Sequence, residues 1–205
     1  MAKKRFGTDI RHDQIAEAAL EIVRAQGVRA LNVVAVAERV GVVPSALYRH
    51  FKNKSAIVAA VMHLIRTRLN KHFQDVVDLE MAPLEKLQLL FTRHIDMIGG
   101  NNAIPRLIFS EEVLAGVEDQ RRQLYGIIQD VINNVATIVR EGQKNGALRD
   151  DLAPESIAVS FLGMIQPAAI IWSLSEGEFD LAQHGRQAWQ LFSNAVQPDR
   201  HEKIG

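Results

Sequence analysis

Hydroxyl, guanidinium, imidazole and ammonium groups follow one another in the stretch GVVPSALYRHFKNK, as Tyr48, Arg49, His50, Lys52 and Lys54. Such donors hold phosphate oxygens, and a guanidinium can also pair with a base edge. No carboxylate interrupts the stretch, and the small residues Pro44, Ser45 and Ala46 stand ahead of the donors. Small side chains at a helix start let the backbone come close to bases and phosphates. The chemistry on offer is therefore anion and nucleic-acid recognition. Tyr48 and Phe51 also suit the core of a helical hairpin; Phe51 reads as core, whereas its basic surroundings favour a contact role for Tyr48.

Bond-making chemistry finds little support. The chain has no cysteine, which excludes disulfides, thiolate metal sites and cysteine nucleophiles. Its seven histidines show no metal-site spacing such as H-E-x-x-H, and no glycine-rich phosphate loop occurs. Asp150 and Asp151 fall in a turn before Pro154 with no evident partner. The expectation is a protein that is not an enzyme and needs no cofactor or metal.

The 205 residues allow one large domain or two modest ones. The opening MAKKRFGTDIRHD is basic without an apolar run behind it, unlike a secretory signal. The most apolar stretch, FLGMIQPAAIIW, reads as too short and too interrupted to cross a bilayer. A cytoplasmic protein without membrane contact is expected. The net charge of zero conceals a division: residues 1–72 hold 13 Lys and Arg against 5 Asp and Glu, and residues 73–205 hold 11 against 19. Either the basic end meets a polyanion, or the charge is simply uneven and solvated.

The elements that must position these groups read almost wholly as helix. Ile15, Ala18, Ala19, Ile22 and Val23 form a stripe at helical spacing that Gly27 ends. Asn32 suits the N-cap of a short helix from Val33 to Val40. Gly41-Val42-Val43 makes a turn, and Pro44 fits the first position of the next helix. A long helix from Ser55 to about Leu79 lacks internal Gly or Pro, and at ~1.5 Å per residue spans roughly 35–40 Å. Further helices are expected from Pro83 to Ile98, closed by Gly99-Gly100, from Pro105 to about Leu114, and from Asp119 to about Gln143. Asn145-Gly146 ends the last of these. Ile157–Leu174 is apolar on nearly all sides, and Asp180–Val196 closes the chain's regular structure. The expected class is all-α with about nine helices: an N-terminal domain of residues 1–54, then 55–205, with 55–79 as a bridging helix.

Two short helices joined by a glycine-containing turn match the helix-turn-helix unit. Val36, Val40 and Leu47 can face inward, Ala37 is small where the helices cross, and Val42 can plug the gap. The segment NVVAVAERVGVVPSALYRHFKNKSAI resembles the DNA-binding signature of the TetR family of bacterial transcriptional regulators. Gly41, Val42, Tyr48, His50, Phe51 and Lys54 match its pattern position by position. Val43 departs from it, standing where a capping Ser or Thr is common, as does Ser45 where Gly is common.

The resemblance implies phosphate contacts from Asn32, Tyr48, His50 and Lys54, with Ser45, Ala46 and Arg49 nearest the bases and Pro44 on the same DNA-binding face. Arg49 suits a guanine or a phosphate equally. Lys3, Lys4 and Arg5 are either a minor-groove arm or a solvated tail. The resemblance further implies a homodimer through the last two long helices, drawing on Met164, Ile171, Trp189, Phe192 and Val196, and hence a palindromic operator on double-stranded DNA. It also implies a small hydrophobic or amphipathic effector in the C-terminal bundle. Candidate lining residues are Phe91, His94, Ile98, Phe109, Val113, Tyr125, Met164, Gln166 and Trp172, each of which also suits plain core. Pro167 should kink its helix beside Gln166. The function so implied is a ligand-responsive repressor; the alternative is a DNA-binding regulator controlled by a protein partner, with no small ligand.

Overall fold

A computed structural model describes residues 12–116 and 118–198. The arm of Lys3, Lys4 and Arg5 lies outside the described residues. Among those described the regular structure is all helical: α1 (His12–Gln26), α2 (Val33–Val40), α3 (Pro44–Tyr48), α4 (Lys54–Val77), α5 (Pro83–Gly100), α6 (Ala103–Ile108), α7 (Glu118–Lys144), α8 (Pro154–Leu174) and α9 (Leu181–Val196). A 3-10 turn occupies Val28–Ala30 and a π-helical turn Glu112–Gly116.

The chain divides into two compact units. The first runs to Arg66 and includes Arg106–Leu124; the second takes Thr67–Pro105 and the residues from Tyr125 onward. The sequence suggests a division after residue 54, whereas the compact units part within α4. The first turns of α4 bury Ile57, Val58, Val61 and Met62, which serve the core of the first unit.

In that unit α1 packs on α2 and α2 on α3. Local chemistry sets the ends of α2. Asn32 Oδ1 accepts the Ala35 N–H at 2.9 Å, which satisfies one of the helix's unpaired donors. Gly41 leaves the helix at φ 75°, and the Val42 N–H then reaches the Ala37 carbonyl at 2.9 Å. That left-handed turn is open to glycine at no steric cost. Val36, Ala37 and Leu47 are fully buried, and Val40 is half-buried. Val43 precedes α3 in an extended conformation without a side-chain cap, and Pro44 opens the helix.

In the second unit α5, α8 and α9 pack on one another. Phe91, Phe161, Trp189 and Phe192 form an aromatic cluster with ring centroids 5.6 to 5.8 Å apart. Tilted and edge-on pairs at that spacing add to the burial of their area. The end of α4 is held by a residue that its sequence position does not advertise. Lys86 is buried, and its Nζ donates to the Val77 carbonyl at 2.9 Å with Glu141 Oε2 at 3.4 Å. A cation there meets an unpaired terminal carbonyl and the negative end of the helix dipole.

Three expectations need correction. Gly99-Gly100 do not close α5, which runs through both to Asn101. The helix expected at Pro105–Leu114 is two elements, α6 and the π-helical turn, with Pro105 in the first turn of α6, where no donor is needed. Finally, α8 is one helix of 21 residues that passes through Pro167, long and apolar enough by length and composition to cross a membrane. Ile157, Ala158, Phe161, Leu162, Ile165, Ala168 and Ala169 form its buried stripe within the bundle.

Candidate nucleic-acid interface and bundle cavities

On α3 and the turn after it, the side chains sort by depth. Leu47 and Phe51 are buried, and the Phe51 ring lies 5.0 Å from that of His12. Ser45, Arg49, His50 and Lys52 are exposed, while Pro44 and Ala46 are half-buried. Tyr48 is 46% exposed, so it is not a core aromatic. Burying Leu47 and Phe51 fixes the roll of α3, and the donors then share the outward face with Ser45.

Two of the residues assigned to phosphate by resemblance already have partners within the chain. Asn32 uses its oxygen to cap α2, and its Nδ2 donates to the Ala30 carbonyl at 3.1 Å. The Lys54 ammonium donates to the Val28 carbonyl at 2.8 Å and to Glu112 Oε1 at 2.6 Å. This bond from Lys54 holds the Glu112 carboxyl below the usual carboxylate range, against the opposing effect of burial. Ser55, the next residue of α4, accepts at 3.2 Å from the buried Gln120. Lys54 thus ties the start of α4 to the turn after α1 and to the π-helical turn. Nothing in the sequence signals this, because its partners lie 26 and 58 residues away.

The nine residues proposed for an effector fall in both compact units. Phe109 and Val113 belong to the first unit, the others to the second. Phe91 lines a cavity of about 410 Å³ with Ile95, Gly185 and Trp189, between α5 and α9. Trp172 lines another, of about 570 Å³, with Gly99, Phe179 and Leu181. Ile98 is buried core, and Met164 packs half-buried against that core. Gln166 is half-buried, and Tyr125 is 62% exposed. His94 is half-buried, and burial, with His72 beside it, pushes its imidazole down to about 4. Sequence reasoning missed Gly185, whose lack of a side chain leaves room beside Ile95 and Phe91. Of the interface candidates, Phe192 and Val196 are buried within the protomer, Met164 and Trp189 are half-buried, and Ile171 is exposed.

Comparison with known proteins bears on the family and the fold. The sequence model described as "Bacterial regulatory proteins, tetR family" matches residues 15–61, and that described as "Tetracyclin repressor-like, C-terminal domain" matches residues 80–196. The chain is 20% identical to the fatty acid metabolism regulator protein of Bacillus subtilis, over 89% of this chain and 94% of that one. It is 25% identical to the transcriptional repressor KstR2 of Mycobacterium tuberculosis, over 86% and 88% respectively. The crystal structure of the regulator FadR from Bacillus subtilis in complex with stearoyl-CoA superposes with a TM-score of 0.78 at 20% identity, covering 91% of this chain and all of that one. With the helix-turn-helix in register at one end and the matching C-terminal bundle at the other, the chain belongs to the TetR family of bacterial transcriptional regulators.

Proposed function

We propose that this regulator represses transcription by binding a palindromic operator as a homodimer in the cytoplasm, and that a small amphipathic molecule in the bundle lowers its operator affinity. The observation that carries the DNA reading is the exposed run Ser45, Tyr48, Arg49 and His50, seated on the buried Leu47 and Phe51. The cavity between α5 and α9, lined by Phe91, Ile95 and Trp189, favours a small ligand over a protein partner as the controlling signal. Relatives named for fatty acid metabolism and a structure bound to stearoyl-CoA support an effector with a long apolar body. Such a ligand can shift operator occupancy only as far as its affinities for the two states differ.

An operator selected from a random DNA pool, titrated by fluorescence anisotropy over a range of salt, tests this reading. Arg49→Ala should weaken binding by about tenfold, and each lost phosphate contact should lower the salt slope by about one. Lys54→Ala should instead act mainly through the melting temperature, because its ammonium is engaged by Glu112 and Val28. A double variant Tyr48→Phe/Arg49→Ala with unchanged affinity and salt slope would remove α3 from the interface.

A further inference from the structure

The second unit is acidic in sum, since residues 67–105 and 125–205 hold 10 Lys and Arg against 15 Asp and Glu. One groove in it reverses that sign. It has a volume of about 740 Å³ and is lined by Arg68, Lys71, His72 and Asp75 from α4 and by Arg93 and Asp96 from α5. It shares Asp96, and no other residue, with the cavity that holds Phe91 and Trp189.

The guanidinium of Arg93 is only loosely engaged by its neighbours. Arg93 Nη1 lies 3.9 Å from Asp75 Oδ2 and 3.5 Å from the His72 carbonyl oxygen. Both distances exceed the 2.7–2.9 Å or so of a charge-assisted bond, so the guanidinium keeps donor capacity for another acceptor. His72 Nδ1 is buried without a hydrogen-bond partner. The charges of Arg93, Arg68 and Lys71 also converge on this imidazole: burial first, then those three cations, hold it below the usual histidine range, with Asp75 opposing.

We propose that this groove binds a small phosphorylated ligand, with Arg93, Arg68 and Lys71 around the phosphate oxygens. Two guanidinium groups and an ammonium match the charge and the several oxygens of a phosphate better than those of a lone carboxylate. Asp75 and Asp96 at the same groove select against an extended polyanion such as nucleic acid, which would carry further negative charge past them. The site does not depend on which molecule releases the operator.

Isothermal titration of the full chain with inorganic pyrophosphate, with sulfate as the comparison, tests the site. Pyrophosphate should bind more tightly than sulfate. Arg93→Ala should weaken it by about tenfold, Arg93→Lys by less, and Asp75→Asn should tighten it, which keeps the test open if Arg93→Ala fails to fold. Arg49→Ala on α3 should leave it unchanged. Binding lost in Arg49→Ala but kept in Arg93→Ala would place the anion on the DNA-reading helix and overturn the proposal. So would an absence of binding, or equal affinities for both anions in every variant. Operator titrations of the same proteins separate the two readings. A chain that binds pyrophosphate through Arg93 but no operator retains the groove and loses the repressor function.

Discussion

Single residues decide how well α3 is held to its task. Val43 already has the extended backbone of an N-cap, φ −72° and ψ 138°, but its side chain cannot accept a bond from the helix. Pro44 supplies the turn's geometry by fixing φ and needs no donor partner itself. Val43→Thr should therefore add a side-chain acceptor without moving the backbone, and stabilise the chain by about 1 kcal/mol. For a protein of this size that raises Tm by about 2–4 °C. Thermal unfolding followed by circular dichroism measures it, and an unchanged Tm would mean that proline alone sets the start of α3. Tyr48 makes a related point. Its sequence context leaves a core aromatic and a contact residue both open, and only the burial of Leu47 and Phe51 turns its phenol outward.

At the scale of elements, α5 carries a pH dependence. His94 sits at about 4 because burial and the adjacent His72 disfavour its charged form, while an unfolded histidine titrates near 6.5. Between those values the unfolded chain binds the proton and the folded chain does not, so stability falls as pH drops from about 6.5 toward 4. His72, lowered by burial and by Arg93, Arg68 and Lys71, acts in the same sense, with Asp75 against it. Urea unfolding at pH 7 and pH 5 should show a smaller loss on acidification for His94→Gln than for the native chain. Equal losses would assign the dependence elsewhere. The helix limits that were legible in the sequence are those written in local chemistry: Asn32 before α2, Gly41 after it, Pro154 opening α8, and Asp180, whose carboxylate accepts the Gln183 N–H at 2.8 Å before α9. What stayed hidden depends on partners distant in sequence. Lys54 meets Glu112 across 58 residues, and the limits of α5 and α6 do not fall at the nearest glycine or proline. The exposed face of α3 was legible because each of its signals lies within one short stretch; the cavities were not, because their walls come from separate helices.

For the whole molecule, the charge division follows the compact units, with 14 Lys and Arg against 9 Asp and Glu in residues 1–66 and 106–124. The basic unit carries α3, the proposed reading helix, and the acidic unit carries the proposed dimer interface. There α8 leaves an apolar face uncovered. Val159, Gly163, Pro167, Ile170 and Leu174 recur at helical spacing, all exposed, and Leu174 is 79% so. Leu191 on α9 is 74% exposed. A side chain added at Gly163 would meet no atom of the chain within 4 Å, so a facing helix can approach there closely. These residues, rather than the buried Phe192 and Val196, are the ones a second copy can cover. Burial of such a face contributes about 25 cal/mol per Å² of apolar area, and two charges placed on it should prevent association. Ile170→Lys/Leu174→Lys should sediment as a monomer with unchanged helical content, and should lose about tenfold or more in operator affinity as two linked half-sites become independent. A double variant that still sediments as a dimer would move the interface off this face, and a monomer that binds operator undiminished would show that one copy suffices to read it.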